Sequence, residues 1–224
     1  MINTFTNRFN DFESVHYLGY YFKYRDPRFD EVSKELLNFK HNYTTSVNKW
    51  TRVASVALKP LLLEWNKSTS KKITVLRALG HDETEVDPSK PMDMLGRKLE
   101  MENPDILAYL PSWLSKSHPN PALHTLNAAQ RIEALESVYQ MIGLDTENSK
   151  KRVHYLILDD VITTGSTLNA IKAIILKQRP NAKIHAFGLC KTFDDVVDPD
   201  EPNQQLLDAF NHPISPPEDC EFPF

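Results

Sequence analysis

The chain has 224 residues, of which 41% are apolar and 25% charged, and its formal net charge at pH 7 is −4. These values are those of an ordinary globular protein, and such a length predicts one domain with a sizeable core. The acidic balance argues against a general nucleic-acid-binding surface. We therefore expect small molecules or proteins as partners, and no nucleic acid.

The N-terminus lacks the long apolar core of a signal peptide, and no apolar run approaches the roughly 18 residues of a membrane-spanning helix. Cys190 and Cys220 are too few for a disulfide framework, and they do not have the CxxC spacing of structural zinc. We expect a cytoplasmic protein with reduced thiols, without membrane attachment and without a zinc centre. The histidines are scattered, and we expect His154 and His185 to pack inside strands.

Residues 1–70 are predicted to form an N-terminal cap. Its first 25 residues are rich in aromatic side chains whose alternation suits a strand or hairpin. An apolar spacing of three and four residues then predicts a short helix that ends near Lys40. A longer helix follows, and we expect Pro60 to kink or end it, because proline lacks the amide donor that a helix interior needs.

The middle of the chain alternates strand and helix patterns. A β-branched run predicts the first core strand at residues 72–76, and an apolar stripe predicts a helix near residues 91–101. The stretch 103–124 has no clean period and is predicted to be a functional loop or lid. A helix is expected over residues 127–143, since its first residues have the spacing of a capping box and a glycine ends it.

The later part of the chain completes the predicted core. A continuous apolar run at residues 153–158 predicts a central strand that is covered on both faces. A helix over 167–177 and a strand over 183–189 follow. This order predicts an α/β fold with a doubly wound parallel sheet, whose core spans residues 71–193. Residues 194–224 are predicted to be an acidic, proline-rich tail, extended or mobile apart from a turn of helix near residues 205–210.

The most informative segment follows the predicted central strand. Two adjacent acids there precede a hydroxyl-rich turn with one glycine and the start of a helix. Carboxylates accept hydrogen bonds from vicinal hydroxyls, while N–H groups and Ser/Thr hydroxyls at a helix start surround a phosphate. The pattern predicts a sugar-phosphate site at the carboxyl edge of the sheet. Its residues are Asp159, Asp160, Thr163, Thr164, Gly165, Ser166 and Thr167.

The two acids by themselves fit more than one kind of site. Isolated acid pairs at strand ends commonly cap loop amides or form salt bridges, and Walker B strands also end in acids. The six glycines form neither the GxxxxGK[ST] loop nor the GxGxxG loop that a nucleotide-binding site of those classes requires. A GxSxG nucleophile elbow is absent from the sequence as well, which leaves hydrolase chemistry without support. The hydroxyl-rich turn directly after the acids favours a ligand site.

Residues 156–168 resemble the phosphoribosyl-diphosphate (PRPP) loop of the type I phosphoribosyltransferases along their whole length. The resemblance implies that Asp159 and Asp160 contact the 2′- and 3′-hydroxyls of the ribose as catalytic residues. It implies that residues 163–167 bind the 5′-phosphate. It also implies Mg²⁺, held beside the two acids through substrate oxygens or water rather than in a cage of protein ligands. The expected ligand is PRPP or a nucleoside monophosphate, and self-association is left open.

In the same family a short diphosphate-binding loop with a basic residue follows the first core strand. The residues at that place are Arg77, Ala78, Leu79 and Gly80. Arg77 is either a diphosphate contact, through its bidentate fork, or an ordinary surface charge. The segment from about residue 82 to residue 126 corresponds to the family's flexible hood over the reacting centre.

The acceptor of the phosphoribosyl group is expected against the loop after the strand at 183–189. Lys191 and Phe193 are candidates there for hydrogen bonding and stacking, and both also fit a surface charge and a core filler. Within the family, the order of elements is most similar to the ComF type, although that group's zinc-binding cysteines are missing. The resemblance implies transfer to a nitrogen acceptor with release of diphosphate. The alternative is a non-catalytic module that senses PRPP or a nucleotide and acts through a protein partner.

Overall fold

The computed structural model describes residues 2–4, 12–69, 71–120, 130, 138–142, 153–193 and 203–211. The strands in this part are β1 Asn3–Thr4, β2 Ser14–Tyr21, β3 Ile73–Arg77, β4 Leu107–Tyr109, β5 Leu114–Lys116, β6 Tyr139–Met141, β7 His154–Ile162 and β8 Lys183–Thr192. The helices are α1 Glu31–Lys40, α2 Thr44–Asn66, α3 Pro91–Glu102, α4 Ser166–Gln178 and α5 Gln204–Asn211. A 3₁₀ turn covers Pro111–Trp113.

The central sheet has the strand order β1-β2-β8-β7-β3-β4. β1 is antiparallel to β2, and all other neighbours in this sheet are parallel. β5 and β6 form a separate antiparallel pair. The predicted α/β fold with a parallel sheet is confirmed, as are the three core strands that were expected near residues 72–76, 153–158 and 183–189.

Helices cover both faces of the sheet. α1, α2, α3 and α5 share one buried apolar cluster with one face, and α4 shares another with β5, β6 and the opposite face. Neighbouring residues of β7 divide between the two clusters: Leu156 and Leu158 belong to the first, Tyr155 and Ile157 to the second. This alternation follows from the period of two in a strand.

The N-terminal segment contributes to the sheet as well as to its cover. β2 lies within the predicted cap, yet it pairs with β8 in the central sheet. α1 forms where expected, and its N-cap Asp30 accepts a hydrogen bond from the N–H group of Ser33 at 2.8 Å. How the chain divides into domains stays a prediction.

Pro60 was expected to kink or end the preceding helix. It does not end it, since α2 runs through Pro60 to Asn66, and a kink stays a prediction. Proline leaves the carbonyl of the residue four positions earlier without its helical donor. That residue, Val56, is 47% exposed, so water can reach this side of the helix. Buried Leu58, Leu62 and Trp65 hold the helix in the core on both sides of the proline.

Two expectations for the middle of the chain are also corrected. Residues 103–124 were expected to be a loop, but β4 pairs with β3 in the central sheet and β5 pairs with β6. The expected helix over 127–143 cannot extend to its predicted end, because residues 139–141 form β6. Residues 121–129 and 131–137 lie outside the described part. Strands of three residues are too short to show an alternation, and long-range pairing decides them.

The tail was expected to contain a turn of helix, and α5 confirms it. Leu206, Ala209 and Phe210 of this helix are buried, while residues 194–202 and 212–224 lie outside the described residues. Among the helices that the structure describes, none has both the length and the apolar character needed to cross a membrane.

Candidate functional site

The predicted phosphate loop lies between the carboxyl end of β7 and the first turn of α4. Gly165 stands directly before α4 with φ 73° and ψ 12°, in the left-handed region. A side chain at this position would be strained, because Cβ disfavours this conformation, so glycine is required here. The carbonyl of Gly165 accepts the N–H group of Asn169 at 2.9 Å, the first hydrogen bond of the helix. Among the residues that the structure describes, no side chain caps the N-terminus of α4.

A small, open concavity lies at this loop. It is lined by Asp159, Val161, Thr163, Thr164, Gly165, Ser166 and Thr167. The hydroxyls of Thr164 and Ser166 are 2.8 Å apart at its exposed edge. The structure thus brings all five residues predicted for the 5′-phosphate together with one of the two acids, whereas Asp160 is not among the lining residues.

Asp160 contacts and strongly affects Asp159. Oδ1 of Asp159 accepts the backbone N–H group of Asp160 at 2.9 Å. Burial and, secondly, the charge of Asp160 raise the pKa of Asp159 well above its usual value. An unliganded Asp159 therefore resists ionisation, and a cation or hydroxyl group placed beside it would favour its charged form.

Lys40, the last residue of α1, is a site residue that the sequence did not predict. Its Nζ atom lies 3.1 Å from Oδ2 of Asp160. Burial lowers the pKa of Lys40, but the attraction of Asp160 and Asp159 outweighs this effect, so that the pKa is raised. The sequence marks Lys40 only as the end of a helix, and the contact depends on how α1 packs against the sheet.

Arg77 is not the surface charge that was one of its two expected roles, and its diphosphate contact stays a prediction. Its side chain is 2% exposed, and all five donors of its guanidinium are used inside the protein. Nε donates to Asp93, and the other two nitrogens donate to Glu83 at 2.8 and 2.6 Å. The remaining donors reach the carbonyls of Ala78 at 3.2 Å and Asp87 at 3.3 Å. A guanidinium has five N–H groups, so none is left over in this arrangement.

The loop Ala78, Leu79 and Gly80 is held by the protein as well. The N–H group of Gly80 donates to Oε2 of Glu83 at 2.5 Å, and that of Ala78 donates to the carbonyl of Leu158 at 2.8 Å. The carbonyls of Leu79 and Gly80 accept from Nζ of Lys116 at 3.1 and 2.6 Å. Whether this loop contacts a ligand stays a prediction.

Lys116 of β5 is the second residue at this edge that sequence reasoning missed. Its ammonium group also donates to Asn120 at 2.6 Å and lies 5.2 Å from the centre of the Tyr139 ring. Burial lowers the pKa of Lys116 to about 8. It joins the β5–β6 pair to the loop after β3, and no local sequence signal predicts that contact.

Lys191 and Phe193 lie at the carboxyl end of β8, beside the loop, since Lys191 pairs with Ile162 of β7. Lys191 is buried, and its Nζ atom lies 5.0 Å from the centre of the Tyr20 ring. Phe193 packs against Phe22 with ring centres 4.8 Å apart. Both residues thus belong to an aromatic cluster next to the site, and their contact with an acceptor stays a prediction.

No protein-family model matches this chain, and no curated protein matches its sequence. Similar solved structures include a hypoxanthine phosphoribosyltransferase from Staphylococcus aureus, with 16% identity, a TM-score of 0.38 and coverage of 65% of this chain and 64% of that one. The chain therefore spans less than two thirds of that enzyme.

Two hypoxanthine phosphoribosyltransferase structures from Trypanosoma cruzi are also similar. The one in complex with the product IMP has 13% identity, a TM-score of 0.37 and coverage of 65% and 76% of the two chains. The other comes from work on how the C-terminal region affects oligomeric state and activity. It has 16% identity, a TM-score of 0.35 and coverage of 75% and 72%.

Proposed function

We propose that this chain is a phosphoribosyltransferase-like protein. It binds PRPP with Mg²⁺ at the carboxyl end of β7 and transfers the phosphoribosyl group to or from a nitrogen acceptor, with release of diphosphate. One observation carries the proposal: a left-handed glycine, four hydroxyl side chains and a carboxylate line one concavity at an uncapped helix start. These groups complement the phosphate and the hydroxyls of a ribose 5-phosphate.

The phosphate end of the ligand would lie over Gly165. Without a Cβ atom at this position, an anion can approach the backbone closely. The first N–H groups of α4 have no partner within the helix, and the helix dipole favours negative charge there by about 0.3–1 kcal/mol per charge. The hydroxyls of Thr163, Thr164, Ser166 and Thr167 supply further donors.

The carboxylate end of the site would hold the ribose. In the transfer, the bond from C1 to the diphosphate oxygen breaks, and its electron pair leaves with the diphosphate. Positive charge then develops on the ribose, and the acceptor nitrogen forms the new bond to C1 and afterwards releases its proton. Asp159 would orient the sugar and stabilise this positive charge electrostatically.

The donor set at the acids fits magnesium. Mg²⁺ prefers oxygen ligands, keeps several waters and commonly binds one or two carboxylates together with substrate phosphates. Asp159 and Asp160 supply such oxygens, and among the described residues no three His, Cys, Asp or Glu side chains converge into a protein cage. When bound, the ion would neutralise charge on the diphosphate as it leaves.

The finer points belong to the same proposal. The acceptor would lie beside Lys191 and Phe193, the product or alternative ligand would be a nucleoside monophosphate, and the hood would include β5. A ComF-like subtype and assembly into homo-oligomers are also part of the proposal.

A second candidate is a non-catalytic module that senses PRPP or a nucleotide and acts through a protein partner. A specific observation favours it: Arg77, the basic residue expected to hold the diphosphate, has all five donors occupied inside the protein. A site without this contact would hold the ribose 5-phosphate part more firmly than the leaving group.

The experiment that tests the proposal measures diphosphate release. The purified protein is incubated with PRPP, Mg²⁺ and a panel of nitrogenous bases, and binding of PRPP is measured in parallel by calorimetry. Base-dependent release supports the transferase, and binding without release supports the sensing module. If PRPP and nucleoside monophosphates fail to bind, both functions are contradicted.

A further inference from the structure

The two neighbouring acids have different surroundings. They are consecutive residues of β7, and consecutive side chains of a strand point to opposite faces of the sheet. Leu158 and Ile157, just before them, already belong to the clusters on opposite faces. Asp159 lines the concavity with residues 163–167, while Asp160 pairs with Lys40 of α1 at 3.1 Å.

Lys40 is presented by a helix that is fixed at both ends. At its start, the N-cap Asp30 accepts the N–H group of Ser33, and the hydroxyl of Ser33 accepts the N–H group of Phe22 at 3.0 Å. In its last turn, Phe39 is 1% exposed within the core cluster. The ammonium group of Lys40 is therefore held beside the site by a packed element rather than by a loop.

We propose that the two acids have separate roles: Asp159 meets the sugar, and Asp160 with Lys40 forms a positioning pair that fixes the carboxyl end of β7 against α1. This inference depends on the proposed function for the nature of the ligand. The pair also holds the negative charge of Asp160 beside a cation, so that this charge repels an anionic sugar phosphate less.

The chain offers a matched control on the same helix. Lys34 pairs with Glu31 at 3.5 Å, and these side chains are 60% and 55% exposed, away from the acids. K34M removes the same charge and the same kind of ion pair as K40M. K34M leaves unchanged both the contact of Asp159 with the sugar and the pair of Asp160 with Lys40.

The first test measures binding of PRPP with Mg²⁺ and of ribose 5-phosphate by calorimetry. D159N is expected to weaken binding by about 100-fold or more, since it removes a charged hydrogen-bond acceptor. K40M and D160N are each expected to weaken it by about tenfold, and the double variant by no more than that, because the two side chains act as one pair. K40R is expected to restore binding to within about threefold of the wild type, and K34M to leave it unchanged.

The second test needs no ligand. Amide hydrogen exchange in the last turn of α1 is expected to become about threefold faster in K40M and in D160N. The double variant is expected to exchange no faster than either single variant, and D159N and K34M are expected to exchange as the wild type does. If the wild type binds neither ligand, the proposed function fails and this measurement alone decides the pairing. Equal losses of binding in D159N and D160N, or wild-type binding and exchange in K40M, would overturn the positioning pair.

Discussion

The carboxyl ends of β3 and β7 are neighbours in the sheet, since Arg77 pairs with Leu158, and both were expected to contact one ligand. At the end of β3, every donor of Arg77 is satisfied by acids and carbonyls of the protein. At the end of β7, a carboxylate with a raised pKa and an uncapped helix start face an open concavity. Polar groups that are buried and fully satisfied by the protein stabilise the fold, whereas polar groups that face an open concavity are available to a ligand.

The largest expected effect concerns the carboxyl end of β3, where Arg77 is fully paired. R77M removes the cation between Glu83 and Asp93 and leaves both acids buried without it, so we expect the free energy of unfolding to fall by about 3–5 kcal/mol. Chemical denaturation measures this loss. R97M, which changes an exposed arginine of α3, serves as the control and is expected to have little effect. A stable R77M protein would show that this end of the sheet is not held by the ion pairs.

The next largest effect concerns the carboxyl end of β7, at the open concavity. The double variant D159N/D160N should abolish detectable PRPP binding by calorimetry, a loss of at least about 100-fold, because the sugar loses its charged acceptor at Asp159 and Asp160 loses its pairing with Lys40. Circular dichroism should show an unchanged fold, since neither carboxylate is needed inside the core. Unchanged affinity would show that these acids do not contact the ligand. The carboxyl end of β7 would then be no more available to a ligand than that of β3.

A pH profile extends the comparison to the amino ends of β7 and β8, which carry another filled polar cluster. His154 Nδ1 lies 3.1 Å from His185 Nε2, and Ser14 and Ser68 bond the outer nitrogens at 2.8 and 3.2 Å. Their predicted burial inside strands is confirmed. Burial, and then the charges of His154 and His16, lower the pKa of His185 to about 3.

Because the folded protein resists protonation of His185, the unfolded state binds more protons below the ordinary histidine pKa. The contribution of neutral His185 to the free energy of unfolding is therefore fully present above about pH 6.5. It is lost as the pH decreases below that value, with a slope of up to about 1.4 kcal/mol per pH unit. H185Q should flatten this acid limb in denaturation experiments at several pH values. An unchanged limb would assign the acid sensitivity to other groups.

The smallest effect separates stability from binding at Asp159. Its pKa is raised in the folded state, so the protonated form is favoured there, and stability falls as the pH rises above the ordinary pKa of aspartate. D159N removes this cost and should stabilise the unliganded protein by about 1 kcal/mol at neutral pH, with little change in acid. Melting temperatures of the wild type and D159N at neutral pH and at acidic pH measure this stabilisation. A destabilised D159N would mean that the contacts of this carboxylate within the protein stabilise the fold by more than its burial costs.

Much of the fold was predictable because its signals are local. The β-branched run of β3, the apolar runs of β7 and β8 and the apolar stripes of α1 and α3 identified these elements within a few residues. The short strands β4, β5 and β6 carry no comparable period, and the helix through Pro60 is decided by burial of Leu62 and Trp65. The cover of the site was therefore less predictable than the sheet beneath it.

What the sequence determined by itself is the segment from β7 to α4, because an apolar strand, two adjacent acids, one glycine and a hydroxyl-rich helix start are properties of consecutive residues. Only the tertiary structure decided which charged groups face it. In the sequence around them, nothing distinguishes Lys40, Arg77 and Lys116 from other basic residues. Their roles depend on acceptors that other elements bring near them. The free energy of a buried charge depends on those partners, so its function cannot be assigned before the chain is folded.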